Sequence, residues 1–247
     1  SGSLNGGHNI TINGGGFSGL VNNTEVKIGD ASCRITETSP SVVNCITSAC
    51  SENCGNLVVT SNKKDATSPD VSYTYSASTS PVVSSVTGLA GTQISILGSN
   101  FGTSPSVSVG KYSCPTDSFT NTEIKCTMPL IAGGDYPVVV NNPDMGNSNS
   151  DVNWTVNLAV SSSTPAAGSY GGGTLIILSG EGFDAADKMN VTICNELCNI
   201  LAKNSTSTEI KCLAPANSGV DASVSCDIVI AQESGSVTKS AGFTYDR

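Results

Sequence analysis

The chain has 247 residues, of which 13% are charged, and a formal net charge of −9. With 11 Lys+Arg against 20 Asp+Glu it carries no electrostatic footprint for a phosphate backbone or an anionic bilayer, which excludes nucleic acid as an expected partner. Apolar runs such as Leu175-Ile176-Ile177-Leu178 fall far short of the ~20 residues that span a bilayer, so no membrane insertion is expected within this segment.

In chain order, the first predicted strand is Ile10-Thr11-Ile12, which ends in Asn13-Gly14-Gly15-Gly16-Phe17. A second follows at Val26-Lys27-Ile28-Gly29 and leads to Cys33; Val43-Asn44-Cys45 comes next, and Tyr73-Thr74-Tyr75 closes the unit. The same landmarks then return twice. Ile94-Ser95-Ile96-Leu97-Gly98-Ser99-Asn100-Phe101 is followed by Val107-Ser108-Val109-Gly110 with Cys114, by Ile124-Lys125-Cys126 and by Trp154. Leu175–Phe183 is followed by Val191-Thr192-Ile193-Cys194 with Cys198, by Ile210-Lys211-Cys212 and by Phe243-Thr244-Tyr245. Four landmarks in fixed order at a period of roughly 80–90 residues define a tandem repeat. Short alternating segments between clusters of Gly, Asn, Ser and Pro read as strands, and no stretch carries helical periodicity. The fold class is therefore all-β, with three tandem sandwiches of two packed sheets each.

The repeat places the units at 1–78, 79–157 and 158–247. Units 2 and 3 each open with a lead-in strand, at Ser80-Pro81-Val82-Val83 and Leu158-Ala159-Val160. Unit 1 has only Ser1-Gly2-Ser3-Leu4 there, so its first strand is expected to be mostly missing and the chain to be cut from a longer array. Short joints predict an extended, semi-rigid array. In each unit the glycines before the recurring Phe are expected to let the backbone approach closely, while Phe17, Phe101 and Phe183 plug small cores.

The arrangement resembles the IPT/TIG family of immunoglobulin-like modules, which occur in arrays on plexins and fibrocystin-like surface proteins. The resemblance rests on Gly172-Gly173-Thr174 with Leu175–Phe183, on the Val-x-Ile/Val-Gly-x-x-x-Cys block, and on Ile-Lys-Cys followed by Pro129 or Pro215. Departures are Gly91-Thr92 alone in unit 2, Cys194 in place of the turn glycine in unit 3, and no proline soon after Cys45. It implies immunoglobulin-like sandwiches in an extracellular or cell-surface protein.

Ten cysteines and a single histidine, His8, favour disulfides over zinc. The repeated pair gives Cys33–Cys45, Cys114–Cys126 and Cys198–Cys212. Cys194 is paired with Cys226, and Cys50 with Cys54 across their shared loop. Sequons at Asn9, Asn22, Asn153, Asn190 and Asn204 are candidate N-glycosylation sites. The strand phase turns Asn9, Asn153 and Asn190 outward, and Asn22 and Asn204 fall in predicted loops.

No catalytic residues are expected, because no acid and nucleophile converge on His8 in any recognisable motif. No cofactor or metal is assigned. Calcium is the one ion considered, at the oxygen-rich stretch 144–151 and at Glu181 with Asp184 and Asp187, and neither completes a loop motif. The expected role is a structural or adhesive extracellular rod within a larger glycosylated fibre, coat or receptor stalk, with head-to-tail assembly as the mode that an open first module would allow. Its partners would be other copies or other extracellular proteins. The alternative is a ligand-recognition ectodomain, with Tyr112, Tyr136 and Tyr170 as the candidate carbohydrate-stacking residues.

Overall fold

The computed structural model describes residues 1–66, 71–184, 189–218 and 223–246, and among these the regular elements are strands apart from two single-turn 3-10 helices. The chain divides into two compact units. One comprises Ser1–Gly88, Gln93–Met128 and Pro137–Trp154; the other comprises Leu89–Thr92, Pro129–Tyr136 and Thr155–Arg247.

The first repeat contains β1 (Asn9–Asn13), β2 (Thr24–Ile28), β3 (Ala31–Thr38), β4 (Val42–Thr47), β5 (Leu57–Ser61) and β6 (Lys64–Asp65), in the order β1-β4-β3-β2-β5-β6. Strict alternation gives β2 three buried positions, Thr24, Val26 and Ile28, with Glu25 and Lys27 exposed between them. Ile12, Phe17, Val26, Val43 and Val59 pack around Cys33 and Cys45, and Ile28 packs separately with Tyr73 and Tyr75. Two distinct sheets were expected here, but pairing is continuous. β3 pairs with β2 through Ala31–Cys33 and then with β4 through Cys33–Thr38, so one strand serves both layers.

The second repeat contains β7 (Val82–Thr87), β8 (Gln93–Ser99), β9 (Ser106–Val109), β10 (Tyr112–Cys114), β11 (Thr116–Phe119), β12 (Glu123–Thr127), β13 (Gly134–Asn142), β14 (Gly146–Asn147) and β15 (Asn153–Val156). Its sheets are separate, β11-β12-β8-β7 and β10-β9-β13-β14, with β15 on β13. Pro115 stands between β10 and β11 where the first repeat has Arg34, and a proline has no N–H to continue a ladder.

The third repeat contains β16 (Ala159–Thr164), β17 (Ala167–Ser169), β18 (Leu175–Glu181), β19 (Met189–Ile193), β20 (Glu196–Leu197), β21 (Asn199–Ile200), β22 (Glu209–Leu213), β23 (Val224–Gln232) and β24 (Gly235–Asp246). These form β16-β18-β22-β21 and β17-β24-β23-β19-β20. The inner faces meet around Ile176, Leu178, Phe183, Val191, Ile210 and Phe243. Burying each such side chain fully contributes about 1.5–3 kcal/mol, the main stabilising term in modules this size.

Candidate functional site: glycine slots, cystines, sequons and an open strand edge

The Gly-x-x-Phe run has one geometry, built three times. The first glycine donates its N–H to the carbonyl just before the strand paired with its own: Gly14 to Ser41, Gly98 to Thr122 and Gly180 to Thr208, each at 2.9 Å. The phenylalanine does likewise, Phe17 to Pro40, Phe101 to Asn121 and Phe183 to Ser207. Between them, the residue just before the Phe takes a left-handed backbone, with φ of 75° at Gly16, 59° at Asn100 and 73° at Gly182. Asn100 tolerates this conformation because its amide donates to the carbonyls of Ser78 and Ser80, both at 3.0 Å. The turn therefore throws the aromatic ring back under its own strand.

The first glycine of the run has a second task. A Cβ at Gly98 would collide with the carbonyl of Val82, and one at Gly180 with the carbonyl of Ala159. Each glycine is a slot for the backbone of a lead-in strand. β7 lies antiparallel on β8 with Val83 opposite Gly98, and β16 lies on β18 with Val160 opposite Gly180. Late segments of each module hold these inserts from the other side. Asn149 accepts from the Val83 N–H at 2.7 Å and donates to its carbonyl at 2.9 Å, while Ser163 donates its hydroxyl to the Gly242 carbonyl. In the first repeat, the nearest atoms to a Cβ on Gly14 belong to the Phe17 ring. Among the described residues, β1 is paired with β4 alone.

Ten cysteines form five bridges: Cys33–Cys45, Cys50–Cys54, Cys114–Cys126, Cys194–Cys226 and Cys198–Cys212. The three repeated bridges lie in the cores, and in the second repeat the bridge joins β10 of one sheet to β12 of the other. Cys194 occupies a turn position with φ of 52°, equivalent to Gly29 at 59° and Gly110 at 56°. A side chain there costs about 1–2 kcal/mol that glycine avoids. Cys54 closes a different gap, its carbonyl lying where a Cβ on Gly29 would be.

Within the first compact unit, the first two repeats meet through polar contacts. Ser3 is fully buried, donating its N–H to the Met145 carbonyl at 2.6 Å and its hydroxyl to the Asn147 carbonyl at 2.5 Å. Asn147 donates its N–H to the Gly6 carbonyl at 2.7 Å, and Leu4 donates to the Ser80 hydroxyl at 2.9 Å. Gly146, at φ of 110°, allows this approach, since a Cβ there would strike the Gly6 carbonyl. His8 lies beside this joint with Nδ1 2.9 Å from the Tyr73 hydroxyl. Burial lowers its pKa below the ordinary imidazole range, the N-terminal ammonium adds to that, and Asp144 opposes it. Tyr75 donates to the Ser48 carbonyl, and burial pushes its phenol to about 12.

The IPT/TIG domain family model matches residues 1–75, 78–154 and 158–245. The chain belongs to the IPT/TIG domain family. Fibrocystin-L of Mus musculus is 32% identical over 99% of this chain, and fibrocystin-L of Homo sapiens is 29% identical over the same share. In both cases this chain spans 6% of the relative's length. Among solved structures, the plexin A4 full extracellular region aligns with 99% of this chain and 23% of its own, at 19% identity and a TM-score of 0.41.

On these IPT/TIG modules the five sequon asparagines are all exposed. Asn9 and Asn190 sit on β1 and β19 and Asn153 opens β15, each next in sequence to an inward-facing residue. Asn22 and Asn204 fall in the 3-10 turns Val21–Asn23 and Ala202–Asn204 rather than in irregular loops. Several oxygens of the 144–151 stretch are engaged in hydrogen bonds. Ser148 accepts from the Val140 N–H at 2.9 Å, Asn147 from Asn141 at 2.8 Å, and Asp151 from Asn149 at 2.6 Å. Asp187 lies outside the described residues. The three candidate tyrosines sit apart and are partly buried: Lys111 stands over Tyr112, Tyr136 donates to the Ala132 carbonyl, and Tyr170 stacks on Tyr245 at 5.7 Å. The repeat was visible in sequence, but the slot role of Gly98 and Gly180 and the grip of Asn149 were not. Their signal is the spacing Gly-x-Gly/Asn-Phe, which carries two constraints in one motif.

Proposed function

We propose that this segment is a non-catalytic, glycosylated structural element of an extracellular IPT/TIG array, and that it contacts other extracellular proteins or further copies of itself. The observation that carries this reading is the coincidence of complete cysteine pairing with exposure at every sequon. Disulfides persist in oxidising compartments, and oligosaccharyl transfer needs an accessible asparagine. The relatives at 32% and 29% identity carry the same kind of array within much longer chains. The absence of a catalytic role is supported by His8, whose ring contacts Tyr73 at the joint between repeats.

The test is intact mass of the chain secreted from a glycosylating eukaryotic cell, before and after enzymatic deglycosylation, with and without reduction and alkylation. The expected result is a mass drop of several glycans and alkylation only after reduction. Ten alkylated thiols without reductant, or no change on deglycosylation, would refute the proposal.

A further inference from the structure

We propose that the Cys50–Cys54 ring is a thiol–disulfide exchange site for a dithiol reductant, and that opening it loosens the joint between the first two repeats. The inference goes beyond the structural role above; it rests on the cysteine pairing in that reading and not on glycosylation.

This bridge differs from the other four in where it sits and in what it closes. Each of the others has at least one buried cysteine, whereas Cys50 and Cys54 are both partly exposed and Ser51, Glu52 and Asn53 between them lie on the surface. Its partners are 4 residues apart, against 12, 12, 32 and 14 for the others. A bridge that restricts the unfolded chain little is in turn stabilised little by folding, because the two equilibria share one thermodynamic cycle. The fold therefore protects this bridge least, and its sulfurs are the ones an incoming thiolate can reach.

The ring also holds the joint. Cys50 donates its N–H to the Leu4 carbonyl at 2.9 Å, and the Glu52 carboxylate accepts the Ala77 N–H at 2.9 Å. Leu4 donates its own N–H to the Ser80 hydroxyl, which donates to the Ser76 carbonyl at 2.7 Å, while Asn100 of the second repeat holds the carbonyls of Ser78 and Ser80. Segment 76–80 is thus fastened to the second repeat by Asn100 and to the first by Glu52 and Leu4. When the S–S bond is cut, the Cys54 N–H on the Ser51 carbonyl, at 3.2 Å, is the turn bond left within the ring. Exposed Ser51, Glu52 and Asn53 then regain conformational freedom, and holding Ala77 costs more.

The exchange is balanced. A thiolate of the dithiol attacks one sulfur of the bridge, forms a mixed disulfide and expels the other cysteine as thiolate; the second thiol of the reductant then displaces the first cysteine. Two electrons and two protons pass to Cys50 and Cys54, and the dithiol leaves as its own disulfide.

The probe is dithiothreitol at stepped ratios to its oxidised form, added to the intact folded chain, with free thiols trapped by N-ethylmaleimide and located by peptide mass spectrometry. Cys50 and Cys54 should be labelled at a ratio at least about tenfold lower than the one that opens any other bridge. At that ratio hydrogen exchange should quicken at the Ala77 and Ser80 amides while the Ile94 and Ile96 amides stay protected. C50S/C54S should show the same exchange without reductant, and Glu52→Ala should speed exchange at Ala77 with the bridge intact. Opening of another bridge first, simultaneous opening of all five, or selective opening that leaves exchange at Ala77 unchanged would overturn the proposal, and none of these outcomes needs a variant that folds. Thiols labelled before any dithiothreitol is added would overturn the pairing itself, which separates failure of that reading from failure of this one.

Discussion

Removing the Cys194–Cys226 bridge while varying the residue at position 194 separates two contributions that a single cysteine mutant would mix. The bridge joins positions 32 residues apart, and the chain-entropy relation gives about 3.7 kcal/mol for a loop of that length. The double variant C194A/C226A should lose that amount plus up to about 1 kcal/mol for the sulfur removed at buried Cys226. In C194G/C226A the same bridge and the same buried atoms are lost, but the left-handed turn residue is now glycine, as at Gly29 and Gly110. Relief of the backbone penalty should return about 1 kcal/mol, making the glycine variant the more stable of the two. For scale, C50A/C54A opens a loop of separation 4 and should forfeit only about 1.8 kcal/mol. The assay is urea unfolding of the whole chain without reductant, with hydrogen exchange at Met189–Ile193 and Val224–Gln232 reporting the third module. Equal stability of the alanine and glycine variants would refute the equivalence of Cys194 with the turn glycines. A smaller loss than that of C50A/C54A would refute the loop-length argument.

Gly98→Ala and Gly180→Ala should each destabilise by about 1–3 kcal/mol in thermal unfolding, because the new methyl meets a backbone carbonyl, whereas Gly14→Ala should cost less because only the Phe17 ring must move. Gly146→Ala should speed hydrogen exchange at the Ser3 and Asn147 amides while leaving the Ile94 and Ile96 amides protected, since it opens the joint and not the core. His8 should make stability depend on pH in one direction. Its folded pKa is depressed, so the unfolded chain takes up the proton first; stability is full above the ordinary imidazole value of about 6.5 and falls as pH drops from there toward the folded pKa. His8→Gln should flatten that part of a denaturation-midpoint profile, and an unchanged slope would assign it to other groups.

Much of this molecule was legible in the sequence because its constraints are local and repeated. The alternation Val26-Lys27-Ile28, the two-residue turns at Gly29 and Gly110, and the recurring Phe each act within a few residues, and threefold recurrence separates them from coincidence. The Cys33 and Cys45 spacing belongs to the same class. What the sequence hid was non-local. Nothing near Ser3 announces that it is buried against a hairpin more than 140 residues away, and nothing near Asn149 announces that it holds the backbone of Val83. Continuity of the first sheet was also hidden: neither Arg34 in the first repeat nor Asn199 in the third is a proline, yet the ladder runs on in the one and is divided in the other.

The glycine of the Gly-x-x-Phe run illustrates how a repeat can encode more than one module needs. At Gly98 and Gly180 the missing side chain is required by an inserted strand, so selection for the fold of those modules suffices to explain it. At Gly14 no strand sits over the Cα, and a Cβ there would meet only a side chain that can turn aside. Gly14 follows the end of β1, and its bare Cα leaves room for the Phe17 ring that folds back against it. Room for the aromatic plug is thus the demand common to all three glycines, and the inserted strand is a second demand at Gly98 and Gly180.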